Sequence, residues 1–317
     1  TPVYADESRD LFDLKSLGII DGDVLPEDSI SRGEFAQIMV RFMCLEEVAD
    51  VVNENSKFTD VASGYQYAKA IGLLSQLNFL NGSDNGYFYP ERAISFHEAV
   101  KVVTDVLGYR MAAESYGGYP DGYTVAAGKL GLLKSVPSDD NFTMKALIKL
   151  LHNALFIDIY NDSVNDSTYK KYLGIINDDD TTYYQKHMES RNVNVIKGEG
   201  VVTANYRTYL NKALKSIDEN EVEIDNVRYN IGNTNADMFL GKRVIFYAED
   251  DDGEFTLRAV RETDDNNEIR IYEPELGDVT DEEMEYIDEN DRTATFGIKN
   301  AALIRNGRMV SPFDASD

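Results

Sequence analysis

Arg32 is the residue that most needs a chemical reason for its position. It follows Ser31 in the run Ile30-Ser31-Arg32-Gly33-Glu34-Phe35-Ala36. Ser31 and Glu34 have the spacing of a capping box, in which the hydroxyl accepts from the N3 amide and the carboxylate reaches back to the cap's own N–H. A helix therefore starts here with Arg32 in its first turn, where the macrodipole disfavours a cation by a few tenths to about 1 kcal/mol. An arginine fork beside free helix-start amides makes an anion site. The alternative is a solvated surface arginine.

Other chemistry is hard to find. His97, His152 and His187 are far apart, and each reads as a satisfied or exposed side chain. No His/Cys metal spacing, phosphate loop or G-x-S-x-G elbow is present. Carboxylate pairs are uninformative in a chain with 57 Asp plus Glu against 31 Lys plus Arg. The acidic runs Asp250-Asp251-Asp252 and Asp288 to Asp291 lack the alternation and glycine of a calcium loop and read as solvated charge. The single cysteine, Cys44, excludes an internal disulfide and reads as a small hydrophobe beside an apolar stripe. The sequence predicts no catalytic residue, metal ligand or cofactor.

The formal charge of −26 argues against nucleic acid or an anionic membrane as partner, since either needs a basic face. No run of 18 or more apolar residues exists to span a membrane. Residues 1–5 place Val3 and Ala5 where a cleavage site puts small residues, so they read as a signal-peptide remnant or an ordinary start.

The elements that must position Arg32 recur. Behind Ser31, the residues Phe35, Ile38, Met39, Phe42 and Met43 form an apolar helical stripe. Ser95 and Glu98 repeat the box ahead of Ala99, Val102, Val103, Val106 and Leu107. Thr143, without a box, leads Leu147, Leu150, Leu151, Ala154 and Leu155. Upstream of each lies another helix that stops on a residue tolerating positive φ before an apolar pair: Gly18-Ile19-Ile20, Asn78-Phe79-Leu80 and Gly131-Leu132-Leu133. The first such helix is expected near Ser8 to Leu17 and the third over Val125 to Leu130. Helical pairs of this size cannot bury their own faces, so three must share a core.

The runs Leu17 to Asp23, Ile30 to Phe42, Phe58-Thr59-Asp60-Val61, Ala68 to Tyr109 and Gly117 to Leu155 resemble three successive S-layer homology repeats. The resemblance covers residues 6–157, with units at about 6–50, 58–110 and 116–157. It implies an all-α, pseudo-threefold module that binds an acidic secondary cell-wall polysaccharide and anchors a secreted protein to a Gram-positive wall or surface layer. Arg32 would then meet acidic substituents such as a pyruvyl carboxylate. The family pattern Ile-Thr-Arg-Ala-Glu keeps its arginine only in the first unit, because Phe96 and Met144 occupy the other two positions, and the chain has no tryptophan. Arg92 and Lys145 are near enough to substitute, and Tyr65, Tyr67 or Tyr119 could supply the aromatic. Asp21, Asp23 and Asp121 are loop residues that the resemblance offers for sugar hydroxyls, the alternative being that each simply forms a turn. In the loop from Asn81 to Arg92, the aromatics Tyr87, Phe88 and Tyr89 suit either a sugar ring or the loop's own small core. This reading requires six helices related by approximate rotation and an Arg32 guanidinium open to a cleft.

Residues 158–192, rich in Asn, Asp, Ser and Tyr, read as a linker with one helix. From Val193 alternating strands appear at 193–202, 221–224, 227–231, 243–247, 255–260 and 269–272, with hairpin turns at Asp225-Asn226, Asp252-Gly253 and Asn306-Gly307. Residues 193–273 are expected to form a small antiparallel barrel or sandwich. Residues 274–317 are expected to be an acidic insert, helical over Glu282 to Asp288, followed by further strands. On Leu240 to Tyr247 and Ile304 to Arg308, this half also resembles the region that follows such repeats in clostridial exported proteins. The fold class is thus α+β and multidomain. The function expected is wall anchoring, with the β half as stalk, adhesion or assembly surface and with other surface-layer proteins as partners. The rivals are a degenerate scaffold without glycan binding, and a wall-modifying enzyme whose catalytic part lies in the β half or beyond residue 317.

Overall fold

The computed structural model describes residues 2–51, 57–137, 141–160, 181–210, 217–269, 271–299, 301–305 and 308–312. The chain is α+β and divides into two compact units, Thr1–Asn192 and Val193–Asp317.

In the first unit α1 (Pro2–Ser16), α4 (Ala68–Gln76) and α7 (Asp121–Lys129) are the leading helices, and α2 (Arg32–Phe42), α5 (Phe96–Val106) and α8 (Met144–Ala154) follow them. Short helices α3 (Glu46–Val51) and α6 (Arg110–Ser115) lie between. The helix α1 starts earlier than its apolar pattern suggests, taking in residues 2–5, and α7 starts at Asp121 rather than Val125. Each leading helix ends in the same way, on Gly18 (φ +68°), Asn78 (φ +58°) or Gly131 (φ +73°). The next amide then bonds back five residues, Ile19 to Leu14, Phe79 to Leu74 and Leu132 to Ala127, which is a Schellman stop. The following helices start as their sequences dictate. Ser31 and Ser95 accept from Glu34 and Glu98, whereas Thr143, with no glutamate three residues on, makes no side-chain cap.

Packing is cyclic. The helix α1 lies on α8, α4 on α2 and α7 on α5, so each leading helix covers the following helix of the preceding pair. The segments ahead of the capped helices join the pairs through main-chain bonds. Arg32 N donates to Arg92 O and Gly33 N to Pro90 O, each at 2.9 Å, while Met144 N donates to Asp28 O and Lys145 N to Pro26 O, each at 2.8 Å. The acceptors stand two and four residues before Ile94 in one case and before Ile30 in the other, so the two junctions are the same contact repeated.

The expected linker is in part a working piece of this unit. Thr182 caps α9 (Tyr183–Glu189) with a full capping box to Gln185. Tyr183 is fully buried, packs on the Phe42 ring at 4.7 Å and donates its hydroxyl to Val106 O. Tyr184 stacks on Phe156 at 5.0 Å. Residues 161–180 of that stretch lie outside the described residues. The lone Cys44 is half-buried just past α2, and burial pushes its thiol up to about 11.

In the second unit β1 (Val195–Asn205), β2 (Glu221–Ile224), β3 (Val227–Asn230), β4 (Arg243–Asp251) and β5 (Glu254–Glu262) pair in the order β1-β2-β3-β5-β4, which closes back on β1. Pairing is not purely antiparallel as expected: β3 meets β5 in parallel at Asn230 and Thr256. Asp225-Asn226 and Asp252-Gly253 turn their hairpins with positive φ at both residues, as tight two-residue turns demand. Val202, Val222, Ile224, Tyr229, Val244, Phe246, Ala248 and Leu257 fill the interior, and Gly198 leaves room for the Phe246 ring, which a Cβ there would meet at 2.4 Å.

Two smaller sheets follow, β6 (Leu276–Val279), β7 (Glu283–Ile287) and β8 (Thr293–Gly297) in one, β9 (Ala302–Arg305) and β10 (Arg308–Pro312) in the other. The helix expected over 282–288 is thus a strand, because Met284 and Tyr286 alternate with charge and pair with Phe296 and Ala294. Of the strand expected at 269–272, the described residues 269, 271 and 272 lie outside any strand, and Ile269 and Tyr272 are exposed. The Asn306-Gly307 turn lies outside the described residues. Among the described residues no helix is long and apolar enough to cross a membrane.

His187 in α9 is buried, with Nε2 at 3.0 Å from Phe42 O, so that nitrogen carries the proton and donates. Burial pushes the imidazole down to about 4, with the Phe42 bond acting in the opposite direction. The native state therefore favours the neutral ring. Stability is complete above the unfolded value near 6.5 and falls as pH drops toward 4, by about 3 kcal/mol at full extent. Urea unfolding of the helical unit should show this decline, and His187→Gln, which keeps the donor, should flatten it. An unchanged slope would remove His187 as its source.

Candidate functional site

Arg32 does not present an open fork. Its side chain is only 6% exposed. Nε donates to Phe88 O at 3.0 Å, Nη2 to Asn81 O at 2.8 Å and Nη1 to Glu98 Oε1 at 2.6 Å, while the guanidinium lies 4.4 Å over the Phe88 ring. The helix-start amides beside it are taken as well, by Arg92 O, Pro90 O and the Ser31 hydroxyl. The requirement that this guanidinium face a cleft is not met. The physical reason is that it finds its partners on the loop and helix of the next pair, 49, 56 and 66 residues away.

Glu98 is the hub that the sequence pattern marked only as a cap partner. Its Oε2 accepts from Ser95 N, and its Oε1 takes both Arg32 and Arg92. Burial alone would raise this carboxyl, but the Ser95 amide and the two arginines together hold it below the ordinary range. Arg92, by contrast, is half-exposed, with a side-chain exposure of 51%. Tyr119, also half-exposed, stands in the field of the same carboxylate beside Ser95, and burial, followed by Glu98, raises its phenol.

Three expected site residues, Arg32, Arg92 and Tyr119, thus gather around Glu98. The other three stand apart. Asp21 pairs with Arg41 at 2.7 Å on the rim of a separate pocket of about 210 Å³ shared with Glu34, Gln37, Tyr67 and Met144. Asp23 is exposed in the loop after α1, and Asp121 is exposed in the first turn of α7. Tyr65 and Tyr67 cover Gly33, where a Cβ would meet Tyr67 at 2.7 Å, and Tyr65 donates to Glu91. At the positions equivalent to Arg32, Phe96 packs near Phe142 and Met144 is buried, so neither offers a charge. Where the segments before α2, α5 and α8 converge, a wider groove of about 1130 Å³ is lined by Ser29, Ser95, His97 and Thr143 among others. Among the described residues no group of His, Cys, Asp or Glu is placed to hold a metal.

The family match falls on the middle of this arrangement. Residues 57–100 match the S-layer homology domain. The matched stretch takes in α4, the loop that Arg32 holds, and the capped start of α5 with Glu98. The chain is also 24% identical over 270 residues to the "Middle cell wall protein" of Brevibacillus brevis, covering 78% of this chain and 24% of that protein. It is 24% identical over 262 residues to a "Surface layer protein" of Brevibacillus choshinensis, covering 75% of this chain and 22% of that protein. The chain therefore spans about a quarter of the length of these relatives.

The geometry separates the two arginines. Arg32→Ala leaves the Phe88 and Asn81 carbonyls without their donor and is expected to lower stability by about 1–3 kcal/mol for each that is left buried and unsatisfied. Arg92→Ala, at a half-exposed pair, should cost less than about 1 kcal/mol. Urea midpoints measure both, and equal small losses would show that Arg32 does not carry the second pair's loop.

Proposed function

We propose that the protein is secreted and wall-associated, and that its helical unit is three S-layer homology repeats of which the matched residues 57–100 belong to the second. The observation that carries this reading is the repeated junction: helix-start amides of α2 and of α8 donate to equivalent carbonyls of the neighbouring pair, as equivalent copies closing a ring would require. The names of the relatives, a cell wall protein and a surface layer protein, support the location. In this reading the unit anchors the protein non-covalently to an acidic secondary wall polysaccharide, without catalysis or cofactor. Arg92 meets the acidic substituent and Tyr119 the sugar face, while Asp21, Asp23 and Asp121 take hydroxyls. This reading departs from the sequence expectation at Arg32: its guanidinium, closed to any cleft, positions Arg92 through Glu98 instead of touching the ligand, and the anion contact passes to Arg92. The β unit serves as stalk or as an assembly and adhesion surface.

One observation favours a second reading, in which the unit is a scaffold that no longer binds glycan: of the three equivalent arginine positions, one is buried and two are apolar. A pull-down on purified wall sacculi separates the two. The anchoring reading expects binding that is lost when hydrofluoric acid strips the polysaccharide, and that falls at least about tenfold, or 1.4 kcal/mol, in Arg92→Ala. Binding that ignores the acid treatment, or no binding, supports the scaffold.

A further inference from the structure

The loop from Asn81 to Arg92 carries three consecutive aromatic residues in two roles. Phe88 is buried, with its ring 5.2 Å from Phe58 and the Arg32 guanidinium 4.4 Å from it, so it alone of the three packs inward. Tyr87 and Tyr89 flank it and remain 39% and 41% exposed, their rings 5.7 Å apart and within 22° of parallel.

The loop is fixed from every side. The Asp60 carboxylate accepts from Phe88 N at 2.8 Å and from Tyr89 N at 2.6 Å, and Ser83 N donates to Tyr87 O. Asn85 Oδ1 accepts from Tyr87 N, and Asn85 Nδ2 donates to the Tyr89 hydroxyl at 2.7 Å. Tyr89 is held at φ +59°, a left-handed conformation that a bulky side chain adopts only when its surroundings impose it. The strain brings its ring alongside Tyr87 in the open, where burial would have been favourable.

We propose that Tyr87 and Tyr89 form a stacking platform for an uncharged pyranose ring, distinct from the Arg92 and Tyr119 contacts proposed above. The axial C–H face of a pyranose is apolar and weakly positive at its hydrogens, and the aromatic faces are negative, so the two attract while the sugar hydroxyls remain at the rim. The tyrosine hydroxyls, Asn85 and exposed Asp84 supply that polar rim. The carboxylates of Asp84 and Asp60 disfavour an acidic sugar, and the Arg32 guanidinium is buried against Phe88 and bound to Glu98. A platform held rigid before the ligand arrives loses little ordering entropy on binding.

The test uses the full 317-residue chain and two neutral probes, the tetrasaccharides of N-acetylglucosamine and of glucose. Saturation-transfer NMR of the wild type should mark the ring C–H protons of at least one probe. The combined variant Tyr87→Ser and Tyr89→Gly should bind it at least tenfold more weakly. Its melting temperature should not fall, because glycine accepts the positive φ without strain. Arg92→Ala, which tests the acidic-glycan reading, should bind the neutral probe as wild type does, so the two proposals fail independently. No transfer to either probe, or full binding by the double variant, overturns the platform. So does self-association in sedimentation that the double variant abolishes without any saccharide signal, which would assign the rings to a protein contact.

Discussion

The helical unit depends on a backbone contact between neighbouring pairs. The first amides of a helix have no partner inside it and are normally left to water, a cap or a ligand. Here the first two amides of α2 are given to Arg92 O and Pro90 O, and those of α8 to Asp28 O and Pro26 O. Each bond contributes only about 0.5–1.5 kcal/mol net, but losing one leaves a donor unsatisfied, which costs about 1–3 kcal/mol where it is buried. Together with the cyclic packing of α1 on α8, α4 on α2 and α7 on α5, these bonds make the second pair the cap of the first and the first pair the cap of the third.

That arrangement decides what the site can be. Because the helix-start amides of α2 are already used, no anion can be held there, and the arginine beside them turns inward. Arg32 would be poorly placed in a first turn on dipole grounds alone. Its position is explained by three acceptors and an aromatic face, all contributed by the second pair. It thereby fixes the loop that displays Tyr87 and Tyr89 and the carboxylate that orients Arg92. Exposed chemistry near Arg32 thus passes to residues positioned by it.

Local features were legible in the sequence because neighbours in the chain set them. The serine caps, the stops at Gly18, Asn78 and Gly131, and the turns at Asp225-Asn226 and Asp252-Gly253 all follow from short-range chemistry. The fate of Arg32 was not legible, since its partners come from another pair. Nor was the packing role of residues 181–192, where a seven-residue helix is too short to show a periodic stripe and its buried surface is tyrosine and histidine. The strand at Glu283–Ile287 was masked by its charge, although Met284 and Tyr286 do alternate. The parallel contact of β3 with β5 arises from closure of the pairing order, which no local pattern encodes.

Amide hydrogen exchange tests the central claim most directly. If the junctions hold the ring together, the amides of Arg32, Gly33, Met144 and Lys145 exchange only through global opening of the helical unit, with protection equal to that of the buried centres of α2 and α8. Exchange of those four amides at the fast rates of open helix starts, while the helix centres stay protected, would contradict it.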